Sequence, residues 1–251
     1  MTVIELLSSA TAFLLGSMLQ SAVGFGAGLL AMPILIWAGM PLPKAVAMML
    51  GVVTLHAGYN LYLGRADFRW RWVRGVTLLR WASIPFGVWI LETFLLHSRT
   101  FAKQVVGGVI LLSLALTAKN TSNPRASRHP GWLWLTGISS GVLAGAVGLG
   151  GPPLVLYALS HDWTNGRTKA YLWASYVLGS PFVVLILWWR LGPFILHDWL
   201  IGMAHAPVVW LGSHIGLRLT KTLSREMLQR VSFAALAIIA LISIFAPGLA
   251  G

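Results

Sequence analysis

Two glycine-rich runs carry the strongest chemical signal in the sequence: Val23-Gly24-Phe25-Gly26-Ala27-Gly28 and Val147-Gly148-Leu149-Gly150-Gly151-Pro152, the second followed by Pro153. Glycine lets the backbone enter conformations closed to other residues and lets a ligand approach the main chain. N–H groups exposed at such a break, and at the start of the helix that follows, attract an anion through unpaired donors and the helix dipole. A single copy reads equally well as small-xxx-small helix packing, for which Gly24 and Gly28 qualify. Two copies at matching places, one bearing consecutive prolines, favour a pair of substrate-binding breaks. Gly24, Phe25, Gly26, Gly28, Gly148, Gly150, Gly151 and Pro152 are therefore candidate substrate-binding residues.

Polar side chains inside otherwise apolar segments extend the candidate set, because an ionisable group at membrane depth is costly unless it has a task. Gln20 and Ser21 precede the first break and are short polar groups suited to a substrate shell. His56 and Asn60 stand four apart, on one helical face. His56 could bond substrate or carry a proton, and a hydrogen-bonded packing histidine is the alternative. Arg80 lies ~9 Å deeper along its segment than Arg74, where it either counters an anion or snorkels to the interface. Glu92 is expected at the interface, and His205 stands where the other half has Ser83.

These residues need membrane helices to hold them. The 251 residues are 57% hydrophobic and only 10% charged, with a mean hydropathy of +0.78, against a charged share near ~25% in soluble domains. No basic n-region precedes the first apolar stretch, which is expected to be retained. The order of segments repeats: near 2–22, 28–40, 44–63, 73–96 and 101–118, then 131–147, 152–160, 168–189, 199–217 and 226–246. Lys44-Ala45 matches Lys169-Ala170, and Pro85…Trp89 matches Pro207…Trp210 with a one-residue slip. The organisation expected is a first transmembrane repeat over 1–118, a polar cytoplasmic linker over 119–130 and a second repeat over 131–251.

The segment at 152–160 is too short to span, since nine residues of helix reach ~14 Å against a hydrocarbon core of ~30 Å. Charge decides how it is used. If each glycine break is a hairpin that returns to its side of origin, Lys44, Arg99, Lys103 and Arg190 share one side. With Arg80 and Arg230 inside segments, the other twelve of the 18 basic residues share the opposite side, the cytoplasmic one by the positive-inside rule. A single crossing through each break would split the charges evenly and orient nothing. The expected fold is thus an all-α polytopic membrane protein of two inverted repeats. Each has three spanning helices plus a Gly-broken re-entrant or hairpin segment; eight simple transmembrane helices in parallel repeats are the alternative.

The run Val23-Gly-Phe-Gly-Ala-Gly-Leu-Leu-Ala-Met-Pro33, echoed by Gly148-Leu-Gly-Gly-Pro-Pro153 in a chain of this length, resembles the sulfite exporter TauE/SafE family. The resemblance spans both halves; Ala27 stands where a glycine is common. It implies a secondary transporter of small sulfur-containing anions (sulfite, thiosulfate or organosulfonates) across a bacterial inner membrane, with export as the expected direction.

The remaining composition narrows the partners. Cys is 0, which removes disulfides and thiolate chemistry. No aromatic-interleaved basic tract or nucleic-acid motif occurs, and no Gly-x-x-x-x-Gly-Lys-[Ser/Thr] run indicates nucleotide hydrolysis. The expected partners are a small anion, the lipid bilayer and coupling protons or cations, unless the protein is a uniporter; oligomeric state is left open. No catalytic set, cofactor or metal site is expected. An intramembrane enzyme using His56 or His205, or a scaffold subunit of a larger complex, are the competing readings. The charge distribution makes a testable statement: cysteine labelling at Asn123 and Gly251 should find them on opposite sides of the membrane, cytoplasmic and periplasmic. A tag at Gly251 on the side of Asn123 would rule out inverted repeats, since three crossings must separate the two positions.

Overall fold

A computed structural model describes residues 2–23, 26–119, 130–222 and 225–245. Its helices are α1 (Val3–Val23), α2 (Ala27–Trp37), α3 (Leu42–Leu63), α4 (Trp70–Ile90), α5 (Arg99–Lys119), α6 (Pro130–Val147), α7 (Gly151–Leu159), α8 (Asn165–Leu191), α9 (Phe194–Ala204), α10 (Ala206–Thr222) and α11 (Arg225–Phe245). A 3₁₀ turn (Arg65–Asp67) precedes α4, and a π turn (Leu91–Leu95) extends it. No strand occurs among the described residues. Most of the linker, 120–129, lies outside them, as do Gly24 and Phe25.

Local chemistry accounts for the helix ends. Thr164 caps α8 by accepting the Arg167 N–H, and Gly192, with φ of 107°, closes it. Pro152 and Pro153 occupy the first turn of α7, where the missing N–H groups would have had no intrahelical partner. Large side chains such as Phe13, Met32, Leu35, Met48, Ile84, Leu187 and Ile195 fill the interior. Outward-facing Leu78, Leu112, Trp189 and Val231 remain more than half exposed, the expected state of a surface that meets lipid. The chain is an all-α, multi-pass membrane protein.

By length and composition, Val3–Ala22, Leu42–Leu63 and Asn165–Leu191 are long and apolar enough to cross a bilayer. The pair Phe194–Ala204 and Ala206–Leu219, bent by 45° at His205, makes a fourth. The sequence led us to expect 199–217 as one helix, and the structure bends it instead. α1, read from the sequence as one arm of a hairpin, is itself of spanning length.

Side-chain contacts sort the helix ends into two groups. Lys44 at the start of α3 pairs with Glu5 at the start of α1 at 2.8 Å, so the α1–α2 hairpin returns to the end where it began. Arg190 at the end of α8 grips Glu92 beyond α4 at 2.6–3.1 Å, at that same end of the bundle. At the opposite end, the Trp132 indole near the start of α6 donates to Ser160 after α7 at 2.9 Å. The α6–α7 hairpin therefore returns to its own side as well, and the two hairpins enter from opposite ends.

The closest helix contacts join the halves. α6 lies on α4, with Gly137, Gly141 and Gly145 facing Leu79, Arg80 and Ile84, and α1 lies on α10 at Gly212 and Gly216. α3 meets α9 where Gly51 and Gly202 each face the other helix's backbone. Without glycine these backbones could not approach, and in a membrane such packing supplies much of the association. A Cβ at Gly87 would land on the Val142 carbonyl, whereas one at Gly108 meets nothing within 4 Å. Gly87→Val should therefore destabilise the purified protein by about 1–3 kcal/mol or prevent folding, while Gly108→Ala should match or exceed the parent, as thermal unfolding in detergent would measure.

Candidate functional site

Both glycine breaks take conformations that other residues avoid. Gly26, the N-cap of α2, has φ of 102°, and Gly148, after α6, has φ of 72°. Gly150 does not: its φ of −72° is open to any residue, so what demands glycine there is space. A Cβ at Gly150 would sit 2.7 Å from both the Ala144 Cβ and the Ser140 carbonyl oxygen. The two breaks touch, since a Cβ at Gly28 would lie 3.1 Å from Leu149 Cδ2.

Where they meet, a cavity of about 70 Å³ opens in the middle of the bundle. That is several times what one water molecule requires and suits a small polyatomic ion. Gln20, Gly26 and Gly28 line it from the first half, with Gly148, Gly150, Gly151 and Pro152 from the second. Arg80 enters from α4, Tyr176 and Ser180 from α8, and Met49, Leu50, Val53 and Val183 form an apolar wall.

Arg80 supplies the charge. It is 3% exposed and so does not snorkel. Its Nη1 donates to the Ser175 carbonyl oxygen, and its Nε, fully buried, has no partner. Room for the guanidinium exists because α8 has Gly179 and the N-cap of α7 is Gly150: a Cβ at 179 would lie 2.6 Å from Nη1, and one at 150 would lie 3.2 Å from Nη2. Lys44 pairs with Glu5 and Arg190 with Glu92, and His197 Nδ1 lies 3.5 Å from Asp198. None engages Arg80. An isolated charge in a low-dielectric interior is strongly disfavoured, so a buried cation with an unpartnered donor and no facing carboxylate favours a negative partner in the adjoining cavity.

The whole chain now bears comparison with known proteins. Residues 9–243 match the family model described as sulfite exporter TauE/SafE. The chain belongs to the sulfite exporter TauE/SafE family. It is similar to the probable sulfite/organosulfonate exporter TauE of Cupriavidus necator, at 26% identity over 223 residues, covering 88% of this chain and 86% of that protein. No solved structure matches it. As a TauE/SafE member the chain is a membrane transporter and not an enzyme, and its substrate is a small anion.

Other polar candidates of this TauE/SafE chain lie elsewhere. His56 Nε2 meets Ser213 Oγ at 3.1 Å, and Asn60 spends its amide on the His56 carbonyl oxygen at 2.7 Å; neither lines the cavity. Ser21, half-buried on α1, does not line it either. Gly24 and Phe25 fall outside the described residues. His205, at the bend between α9 and α10, is held by Ser9 Oγ at 2.9 Å, by the Ile201 carbonyl oxygen at 2.8 Å and by an edge contact with Phe13. Glu92 lies at the bundle end with Arg190. Among the described residues, no three His, Asp or Glu side chains converge as metal ligands.

Tyr176 and Ser180 were missed by sequence reasoning. Their spacing of four in an otherwise apolar helix, interleaved with Ser175 and Gly179, was the available signal. Backbone donors at the second break are also fewer than the motif suggests. Gly148 N–H bonds Ala144, Leu149 N–H bonds Leu143, and the two prolines have none, which leaves Gly150 and Gly151. Gly26→Val and Gly150→Val should each abolish anion binding, by different routes. The first forces a branched residue into a left-handed backbone at a cost of about 1–3 kcal/mol or more; the second drives a side chain into Ala144 and the Arg80 fork. Anion binding by folded, detergent-purified variants tests this, and undiminished binding by both would make the breaks packing devices.

Proposed function

We propose that this chain is a secondary transporter that moves a small sulfur-containing anion (sulfite, thiosulfate or an organosulfonate) out across a bacterial inner membrane, with the cavity at Arg80 as its binding site. The observation that carries the proposal is the uncompensated guanidinium of Arg80 where the two glycine breaks meet. The name of the Cupriavidus necator relative supports sulfite and organosulfonates as the substrate class. The binding residues are Gln20, Gly26, Gly28, Arg80, Gly148, Gly150, Gly151 and Pro152, together with Tyr176 and Ser180.

The mechanism is alternating access between two inverted repeats, 1–118 and 131–251, joined by a cytoplasmic linker. Two observations support it: hairpins that enter from opposite ends of the bundle, and the matched pairing of α4 with α6 and α10 with α1. Energy enters through ion gradients or the membrane potential, unless the protein is a uniporter.

A panel of sulfite, thiosulfate, sulfate, sulfonates and carboxylates, scored by thermal stabilisation of the purified protein, tests the substrate class; a ligand at a hundred times its Kd should add about 2.7 kcal/mol. Arg80→Gln should lose about 2–5 kcal/mol of anion affinity, and Arg80→Lys, which keeps the charge without the planar fork, should lose less. If both folded variants bind as the parent does, Arg80 is not the anchor.

A further inference from the structure

We infer that the cavity is selective for charge as well as for chemistry: it accepts a monoanion, a sulfonate or hydrogensulfite, and excludes the dianions sulfate, sulfite and thiosulfate, which narrows the substrates proposed above. This rests on the proposed site at Arg80 and sharpens it.

Counting the charges that converge on the cavity leads there. Each glycine break joins the end of one helix to the start of another: α1 stops at Val23 and α2 starts at Ala27, while α6 stops at Val147 and α7 starts at Gly151. A helix C-terminus carries roughly half a negative charge and an N-terminus roughly half a positive one, so the ends at each break offset one another. What survives is the guanidinium of Arg80. The groups that face it are neutral: the phenols of Tyr171 and Tyr176 from α8, and the Ser175 carbonyl on the same helix. The other polar side chains lining the cavity, Gln20 and Ser180, are neutral too. Neither a second cation nor a carboxylate lines it among the described residues.

A monoanion therefore forms a neutral pair with the Arg80 guanidinium that lines the cavity. A dianion leaves one negative charge uncompensated in a low-dielectric interior, where only neutral dipoles remain to hold it. The apolar wall of Met49, Leu50, Val53 and Val183 cannot help, and it suits the organic substituent of a sulfonate.

Three tetrahedral ligands of one shape separate charge from contact. Sulfate is a dianion near neutral pH, methanesulfonate replaces one oxygen by a methyl group, and sulfamate replaces it by a polar amino group while staying a monoanion. Calorimetric titration of the detergent-purified protein should show methanesulfonate and sulfamate both binding at least about a hundredfold more tightly than sulfate. Total sulfite should bind more weakly as pH rises from 6 to 9, by about tenfold per pH unit once the dianion predominates; methanesulfonate stays constant and serves as the control. Sulfate binding within tenfold of sulfamate would overturn the inference. So would sulfamate binding as weakly as sulfate, since the methyl contact would then explain the sulfonate, and so would a sulfite affinity that tracks the control.

The assay also tells the two failures apart. Loss of all binding in Arg80→Gln and weakening in Arg80→Lys, with sulfate and sulfamate equal in the parent, keeps the site and rejects charge selection. No binding of any of the four anions to the parent, or binding that ignores both substitutions, rejects the site and the selection together.

Discussion

A guanidinium held at 3% exposure in the middle of a membrane bundle, with no carboxylate against it, sets the terms for everything around it. Burying an ion costs several kcal/mol even after relaxation, so the surrounding helices must give the side chain room and partial satisfaction. They do so with small residues and one carbonyl: Gly179 and Gly150 admit the fork, Gly141 admits the α4 backbone at Arg80, and the Ser175 carbonyl accepts one N–H. The Nε stays buried without a partner, and the Arg80 side chain lines the cavity between the breaks.

The breaks follow from the same economy of backbone hydrogen bonding. Interrupting a helix at membrane depth frees N–H and carbonyl groups that lipid cannot satisfy, so such a segment survives only buried in protein or lining a cavity. Here both devices operate. The Ser140 hydroxyl caps the Gly150 carbonyl oxygen, and Gly148 and Leu149 turn back to bond the last turn of α6. Gly150 and Gly151, whose N–H groups are left over, line the cavity. Because two breaks meet, neither alone has to enclose the ligand, and a site can form from two short helices that could not span the membrane separately.

Much of this was legible in the sequence, and the reasons why are particular. The glycine runs stood out because glycine at two matching places has few other uses, and Arg80 stood out because a charge in an apolar segment is rare. The lysine and arginine positions gave the direction of the hairpins, and the Glu5–Lys44 and Trp132–Ser160 contacts place the helix ends accordingly. His56 and His205 were just as conspicuous, yet their partners are serines brought from 157 and 196 residues away, a proximity that spacing along one helix cannot reveal. Tyr176 and Ser180 escaped notice for the opposite reason. A hydroxyl in a membrane helix commonly bonds its own preceding turn, as Ser180 does to the Tyr176 carbonyl at 2.7 Å, so its presence alone says little. The bend at His205 was hidden too, since composition alone does not distinguish a straight helix of that length from a broken one.

The glycine seams constrain how such a molecule can move. α6 is locked to α4 through Gly137, Gly141, Gly145 and Gly87, and α1 to α10 through Gly212 and Gly216. Backbones in such close register cannot slide without a clash, because a shift of even one residue brings a side chain against a carbonyl where glycine had been. Each seam therefore behaves as a rigid pair. One pair carries Arg80 and leads into the second break, and the other carries Gln20 and leads into the first. α8 packs on α4, where the Ser175 and Leu178 carbonyl oxygens accept from Arg80 and Trp81. It touches the cavity through Tyr176, Ser180 and Val183, and Thr54 of α3 meets its Ser180 at 2.9 Å through a hydroxyl pair that can exchange partners. Hydroxyl and apolar side chains, rather than interlocked backbones, form the contact of α3 with α8, so that interface can shift with less backbone clash than the glycine seams, including the one that joins α3 to α9.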